Sequence, residues 1–257
     1  MNDAAHSLFD LTGTVALVTG GNGGIGRGLA DGLADAGASV VIAARNEAKT
    51  TEAVAAITAR GGVAVGVACD VNVRADLEAA VARCVSEYGG LDILVNNAGM
   101  GRGGPAETIA EEDWAITIET NLSATLWGSQ VAYPHLKAGG RGKVINIASE
   151  YSLFGSGRAL AYSASKGGVV QLTKSMAVGW ATDGIQVNAI VPGWITTDMT
   201  APVKADQEFY EGIIHRTPAG RFGEPEELAG AGVFLASHAS DFVTGVVLPV
   251  DGGYAAG

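Results

Sequence analysis

Residues 14–26 are Thr14-Val15-Ala16-Leu17-Val18-Thr19-Gly20-Gly21-Asn22-Gly23-Gly24-Ile25-Gly26, a short apolar run followed by a run of glycines. Leu29 and Leu33 continue the apolar pattern of Ile25 at helical spacing. The segment therefore predicts a strand, a tight turn and a helix. Such a turn points backbone N–H groups and a helix N-terminus at a pyrophosphate, and glycine lets the phosphate come close. We interpret it as a dinucleotide-binding turn.

Apolar runs and helical patterns continue to alternate along the rest of the chain. The predicted strands are 14–19, 39–44, 63–69, 91–96, 143–148, 185–191 and 246–250; helices are predicted over 46–59, 73–88, 111–133 and 224–237 and from the Tyr162 region to Trp180. This alternation is typical of a parallel sheet. We predict an α/β fold: a single doubly wound Rossmann-type domain over 1–257, about seven parallel strands with helices on both faces, and a loose N-terminal tail over 1–10.

Composition excludes several classes of function. The net charge is −11 and there is no basic patch, so neither nucleic acid nor membrane is expected as a partner. Cys69 and Cys84 cannot build a disulfide framework, and the four histidines share no metal-ligand spacing with them. We therefore expect buried cysteines, no metal, and a soluble cytoplasmic protein, because no targeting or membrane-spanning segment is recognised.

The chemistry is concentrated in Tyr162-Ser163-Ala164-Ser165-Lys166, with Ser149 upstream at the end of an apolar run. Residues four apart share a helix face, so an ammonium would lie beside a phenol. A neighbouring cation lowers the pKa of a phenol, and such a tyrosine can exchange a proton with an alcohol or carbonyl. Ser149 could hold the same oxygen. Tyr-x-x-x-Lys alone is a weak pattern, since an exposed helix pair has the same spacing.

Further motifs accompany these residues: Asn96-Asn97-Ala98-Gly99, Asn121 and Pro192-Gly193. Together, from about Leu11 to Gly253, they make the chain resemble the short-chain dehydrogenase/reductase family. The resemblance implies an NAD(P)-dependent oxidoreductase that transfers a hydride between the nicotinamide and a carbonyl or secondary alcohol, and a homotetramer. It also places the glycine pattern T-G-x-x-x-G-x-G on Thr19, Gly20, Gly24 and Gly26, in preference to G-x-G-x-x-G on Gly21, Gly23 and Gly26.

The resemblance assigns roles to four catalytic residues. Tyr162 is the general acid in reduction and the base in oxidation, and Lys166 lowers its pKa and holds the nicotinamide ribose. Ser149 orients the substrate oxygen. Asn121 bonds through its backbone to a water held by Lys166; the alternative is a structural buried asparagine.

Cofactor contacts are implied along the carboxyl ends of the strands, where open α/β sheets bind ligands. Asp70 and Val71 would flank the adenine, although Asp70 could instead be an ordinary helix N-cap. The implied set is Gly20, Asn22, Gly24, Ile25, Gly26, Arg45, Asp70, Val71, Asn97, Ala98, Gly99, Tyr162, Lys166, Pro192, Gly193, Ile195 and Thr197.

The choice of cofactor depends on the end of the second strand. An NAD site of this fold places a carboxylate there for the ribose hydroxyls. Ala44 occupies that position and Arg45, which suits a 2′-phosphate, follows it. We predict a preference for NADP(H), with NAD(H) as the alternative, in which Arg45 stacks on adenine or faces water.

The substrate side is defined less sharply. The candidate substrate residues are Ser149, Tyr151, Arg158 and Trp194, and residues 194–220 are the candidate lid. Arg158 could clamp a carboxylate, which favours a sugar acid or other hydroxy/oxo acid; a solvated arginine is the alternative. Residues 217–223 resemble sugar-acid dehydrogenases and 3-oxoacyl carrier-protein reductases equally, so a ketoreductase of the second kind stays open. A non-catalytic dinucleotide sensor would be expected to lack one of the four catalytic residues.

Overall fold

The computed structural model describes residues 8–102 and 104–257. The predicted tail of residues 1–10 falls mainly on residues 1–7, which lie outside this range. Leu8 and Phe9, its described end, are helical and largely exposed.

One parallel sheet organises the described residues, with the strand order β3-β2-β1-β4-β5-β6-β7. Its strands are β1 Val15–Thr19, β2 Ser39–Ala44, β3 Val63–Ala68, β4 Ile93–Asn96, β5 Gly142–Ile147, β6 Ile185–Pro192 and β7 Val247–Val250. Every pairing is parallel. The order reverses between β1 and β4, the switch point at which doubly wound sheets bind ligands. The predicted fold class is confirmed.

Helices cover both faces of this sheet. They are α1 Gly24–Asp35, α2 Glu47–Ala59, α3 Arg74–Tyr88, α4 Glu111–Ile118, α5 Ala124–Gly139, α6 Leu160–Trp180, α7 Ala201–Ala205, α8 Gln207–Arg216 and α9 Ala229–Ala236. Successive strand residues point to opposite faces. Val18 accordingly packs in one core with residues of α1 and α9, and Leu17 packs in the other with residues of α3, α5 and α6.

The two cysteines belong to the second of these cores. Cys69 and Cys84 are both buried and unpaired. Burial raises the pKa of each thiol to about 12. They are packing residues, as the sequence predicted.

The prediction of a single helix over 111–133, ending at Pro134, is wrong in two respects. A π-helical segment, Glu119–Ser123, separates α4 from α5, and α5 continues through Pro134 to Gly139. A proline inside a helix costs about 3 kcal/mol. Here the helix buries Ala132 and Leu136 completely on either side of it, and this burial outweighs the missing backbone hydrogen bond. The helix ends at Gly140, which adopts the left-handed conformation.

Candidate active site

Helix α6 sets Tyr162 and Lys166 on one face at the carboxyl edge of the sheet. The Lys166 side chain is buried, and its ammonium lies 5.8 Å from the centre of the Tyr162 ring. The Nζ atom donates a hydrogen bond of 2.7 Å to the carbonyl oxygen of Ile147, the last residue of β5. Two further N–H groups of the ammonium remain for other partners.

The protonation of this pair differs from the sequence prediction. Burial raises the pKa of Tyr162, while the hydroxyl of Ser149 lowers it to a smaller extent. The Lys166 ammonium, for its part, is bonded to the Ile147 carbonyl and is desolvated. Burial lowers the pKa of Lys166 to about 8. The tyrosine is therefore protonated at neutral pH, the form that can donate a proton.

Ser149 lies just beyond β5, at the start of a 3₁₀ turn formed by Glu150–Ser152. Its backbone is extended, and its hydroxyl accepts a hydrogen bond from the Tyr151 N–H at 3.2 Å. The Ser149 hydroxyl lowers the pKa of Tyr162, which burial raises. Both oxygens can thus meet one substrate oxygen.

Asn121 lies inside the π-helical segment and is fully buried. Its side chain bonds to both backbone groups of Met100, at 2.8 and 2.9 Å, and to the hydroxyl of Ser165 at 3.1 Å. A Cβ added to Gly99 would lie 3.2 Å from Asn121 Oδ1 and 3.6 Å from Lys166 Nζ. Asn121 therefore joins the loop after β4 to helix α6. Short π-helical segments are frequent at functional sites. The sequence pattern did not predict the change from α-helical to π-helical geometry at this point.

The glycine turn fits the wider of the two glycine patterns. Gly20 and Gly24 have φ of +63° and +49°, whereas Gly21 and Gly23 do not need positive φ. No side chain caps the N-terminus of α1, and a Cβ on Gly23 would meet nothing within 4 Å. Free N–H groups at an open helix N-terminus fit the pyrophosphate of a dinucleotide. Gly23 belongs to the narrower pattern and is not in the predicted cofactor-binding set.

Asn97 holds this turn in place from the end of β4. Its side-chain N–H groups donate to the carbonyl oxygens of Thr19 and Gly20, at 2.9 and 3.2 Å. The Thr19 hydroxyl in return accepts from the backbone N–H groups of Asn97 and Ala98. The side-chain nitrogen of Asn97 is thus committed to the turn. Thr19, quoted in the motif, is a structural partner that the sequence analysis did not count among the site residues.

Arg45, at the end of β2, extends into solvent with 79% of its side chain exposed. Its guanidinium is 3.9 Å from a carboxylate oxygen of Asp70. The other Asp70 oxygen accepts from the N–H of Asn72, and Val73, not Asp70, is the N-cap residue of α3. Val71 is buried next to Asp70. The alternative that Asp70 is an ordinary helix N-cap is therefore wrong.

Asn22 ties the glycine turn to the start of α2. Its amide donates to the Asn46 carbonyl at 3.1 Å and to the Thr50 hydroxyl at 3.0 Å. Asn46 caps α2 by accepting from the N–H of Lys49. The structure thus gives Asn22 a structural role beside any contact with cofactor.

The segment after β6 closes over the glycine turn. A Cβ on Gly193 would lie 2.7 Å from Asp251 Cα, so no larger residue fits beside Pro192. Ile195 is buried, and the methyl group of Thr197 lies 3.1 Å from the position that a Cβ on Gly24 would occupy. The Thr200 hydroxyl bonds to the Ile195 carbonyl at 2.6 Å and accepts from the Thr197 N–H at 3.0 Å. The turn of residues 192–197, which supplies four of the predicted cofactor contacts, is therefore held against the glycine turn. Thr200, which the sequence did not predict, supports it.

An aromatic row leads from Tyr162 to the segment proposed as a lid. Tyr151 packs edge-on against Tyr162 and Trp194, with ring centres 6.2 and 6.0 Å apart. Trp194 packs edge-on against Phe209 of α8 at 5.7 Å. Tyr151 thus packs against the candidate catalytic tyrosine, and Trp194 packs on the far side of Tyr151.

Arg158 lies at the far end of this row. Its guanidinium stacks 4.8 Å above the Phe209 ring, lies 4.0 Å from an Asp206 carboxylate oxygen and remains 74% exposed. It borders a cavity of about 370 Å³ that is also lined by Phe209 and Tyr254, but not by Ser149 or Tyr162. Arg158 is thus separated from the candidate catalytic group by aromatic rings.

Residues 8–102 and 104–257 contain neither a metal-ligand cluster nor a membrane-spanning helix. No cluster of three or more potential metal-ligating side chains is present in them. Across these same residues no helix combines the length and the apolar character that crossing a bilayer requires.

The geometry is that of a nucleotide-dependent oxidoreductase site, and comparison with known proteins gives its class. A family model described as enoyl-(acyl carrier protein) reductase matches residues 20–255. The chain belongs to the short-chain dehydrogenase/reductase family, a family of NAD(P)-dependent oxidoreductases.

Individual relatives cover almost the whole chain. It is 44% identical to gluconate 5-dehydrogenase of Gluconobacter oxydans, covering 96% of each protein. It is 43% identical to 2-dehydro-3-deoxy-D-gluconate 5-dehydrogenase of Escherichia coli, covering 97% of this chain and 98% of that protein. It is also similar to the crystal structure of a gluconate 5-dehydrogenase from Burkholderia cenocepacia in complex with NADP and tartrate. That structure has a TM-score of 0.94 and 41% identity, covering 98% of this chain and 99% of that one. The predicted family and enzyme class are confirmed.

Proposed function

We propose that this protein is an NADP(H)-preferring dehydrogenase/reductase of a hydroxy or oxo acid, with sugar acids as the first candidates. The observation that carries the proposal is the convergence of Ser149, Tyr162 and Lys166 beside an open glycine turn. The sugar-acid relatives and the NADP and tartrate bound to the Burkholderia enzyme support the substrate and cofactor. A 3-oxoacyl carrier-protein reductase is the alternative.

In the proposed mechanism the residues of this chain hold the substrate and move a proton. When bound, NADPH would supply the hydride. The Ser149 hydroxyl and the Tyr162 phenol hold the carbonyl oxygen, and Tyr162 donates its proton as that oxygen gains charge. Lys166 holds the cofactor ribose with its free N–H groups, and Asn121 fixes the loop against which Lys166 packs. In oxidation the deprotonated, phenolate form of Tyr162 accepts the proton.

We further propose that residues 1–257 form one catalytic domain and that residues 194–220 are a substrate lid. The lid contains α7 and α8, and its Trp194 and Phe209 form part of the aromatic row. A homotetramer and a cytoplasmic location remain our predictions. The exposed side chains of Val178 on α6 and Phe242 before β7 support subunit contacts along these two elements. Light scattering on purified protein would test the assembly.

The test of function is a substrate panel with NADPH and NADH, followed by absorbance of the reduced nicotinamide. It should include gluconate, 5-ketogluconate, other hydroxy and oxo acids, neutral polyols and a 3-oxoacyl thioester. We expect turnover of acids with the NADP pair. Preferred turnover of the thioester would favour the alternative, and nucleotide binding without turnover of any member would favour a sensor.

Substitution of the tyrosine tests the mechanism. Tyr162→Phe should lower kcat by about 10²–10⁴-fold, the usual contribution of general acid–base catalysis, and retain NADPH binding. Tyr88→Phe, which removes a phenol from α3, is the matched control and should keep normal turnover. Near-normal turnover of Tyr162→Phe would contradict the assignment.

A further inference from the structure

Residues 197–199, which we call the strap, form part of the turn between β6 and α7. The Thr197 methyl group lies 3.1 Å from the place that a Cβ on Gly24 would take, at the start of α1. The Met199 sulfur lies 3.7 Å from the place that a Cβ on Gly101 would take, in the loop after β4. The strap therefore reaches both sides of the switch point between β1 and β4.

The middle residue of the strap, Asp198, is its only charged residue and contacts a third element. Its carboxylate accepts a hydrogen bond of 2.9 Å from the ammonium of Lys49 on α2, the helix that follows β2. This hydrogen bond raises the pKa of Lys49 and lowers the pKa of Asp198, so both groups are charged at neutral pH. The two residues are 149 positions apart in the chain, and only the fold brings them together.

The three contacts of the strap cover one continuous part of the sheet edge. The elements that it touches follow β2, β1 and β4, which are neighbours in the sheet. The carboxyl ends of these strands are where a doubly wound sheet binds its dinucleotide. The strap thus crosses the edge at which the cofactor would bind, and segments in such positions open and close as ligands pass.

The exposure of the ion pair suits a contact that opens repeatedly. The Lys49 side chain is 52% exposed and the Asp198 side chain is 94% exposed. Exposed pairs contribute little to the stability of a fold, because water and salt screen them. Breaking this pair should therefore change how often the strap opens and leave the fold intact.

We propose that Lys49 and Asp198 form an ionic clasp that holds the strap closed across the dinucleotide site, both with and without cofactor. The clasp limits the rates at which cofactor enters and leaves. Because the pair is present in both closed states, its loss should raise both rates by the same factor and leave the Kd unchanged. The inference requires only that a dinucleotide binds at the glycine turn, and it does not depend on the proposed substrate.

Stopped-flow fluorescence of NADPH measures both rates and needs no substrate. Lys49→Ala and Asp198→Asn each remove the clasp, and Met199→Ala weakens the strap without a change of charge. Loss of one exposed ion pair should raise kon and koff about two- to fivefold, with the Kd within about twofold of wild type. Met199→Ala should raise both rates in the same way. The control, Glu78→Gln, breaks an exposed pair with Arg74 on α3 and should change neither rate.

An exchange of the two charges separates the clasp from long-range attraction of an anionic cofactor. Lys49→Asp combined with Asp198→Lys keeps the net charge and restores an ion pair, so both rates should return close to the wild-type values. Rates that stay fast in this double variant would overturn the proposal. The alternative is that Lys49 binds a cofactor phosphate and Asp198 competes for it. Lys49→Ala would then weaken NADPH binding and Asp198→Asn would tighten it, and such opposite changes in Kd would also overturn the clasp.

Hydrogen exchange in the cofactor-free protein tests the closed strap directly. The Thr197 N–H donates to the Thr200 hydroxyl at 3.0 Å, and the Ala201 N–H donates to the Thr197 carbonyl at 3.1 Å. Both amides should exchange about two- to fivefold faster in Lys49→Ala and Asp198→Asn, because the strap opens more often. Wild-type exchange in both clasp variants, or unchanged cofactor rates in them, would overturn the inference whether or not any acid is turned over.

Discussion

Replacement of Arg45 by alanine should reduce the preference for NADPH over NADH. Arg45 is the cation nearest the position where Ala44 stands in place of a ribose-binding acid. A charge-assisted hydrogen bond contributes about 1.5–3 kcal/mol, or roughly 10- to 150-fold in affinity. The guanidinium is 79% exposed and already lies 3.9 Å from Asp70, so solvent screening and this competing carboxylate place the effect at the lower limit.

We therefore expect Arg45→Ala to lower kcat/KM for NADPH about tenfold and to leave that for NADH within about twofold. Steady-state kinetics with both cofactors, at one fixed substrate concentration, would measure this. The matched control is Arg74→Ala, which removes an exposed arginine paired with Glu78 on α3. That variant should change neither value.

Ionic strength gives a second, independent measurement of the same contact. The Debye length falls from about 10 Å at 0.1 M salt to about 3 Å at 1 M. The NADPH preference of wild type should thus decline as salt is added, while that of Arg45→Ala stays constant. A wild-type preference for NADH, or an equal loss with both cofactors in Arg45→Ala, would show that Arg45 does not bind a 2′-phosphate.

Three further outcomes are expected. Reduction should decline above about pH 8, because burial lowers the pKa of Lys166 to about 8 and the ammonium is present only below it; an unchanged rate at pH 10 would contradict this. Arg158→Ala should raise KM for acidic substrates only, and only a few-fold, because Asp206 competes for the guanidinium. Equal changes in KM for acidic and neutral substrates would show that Arg158 does not bind a substrate carboxylate. Gly193→Ala should lower the melting temperature by about 2–10 °C, since its Cβ would overlap Asp251, whereas Gly90→Ala, which meets nothing, should not.

The sequence predicted those features that local pattern determines. Apolar runs are enough to place the strands, because the central strands of a parallel sheet are buried on both faces. The i, i+4 spacing is enough to bring Tyr162 and Lys166 together on α6. The choice between the two glycine patterns could be made from the resemblance to the family. The positive φ of Gly20 and Gly24 agrees with that choice.

Features that depend on tertiary contacts escaped prediction. Pro134 stays inside α5 because the residues around it are buried, and no local rule contains that information. The Lys166 ammonium bonds to Ile147, a residue nineteen positions away, so its effect on Tyr162 could not be derived from helix spacing. Glu150 directly follows Ser149 in the sequence, and only the fold shows that it is buried.

Electrostatics links the whole chain to its candidate cofactor site. A protein with a net charge of −11 repels an anionic dinucleotide at long range, yet that repulsion is screened within about 8 Å at physiological salt. Binding then depends on groups in contact with the phosphates. The open N-terminus of α1 supplies neutral N–H donors that treat NAD and NADP alike. We predict that Arg45 discriminates between the two, and that Asp70, which lies 3.9 Å from the same guanidinium, limits this discrimination. The sequence therefore sets a preference for NADP(H) that is moderate in size and sensitive to salt.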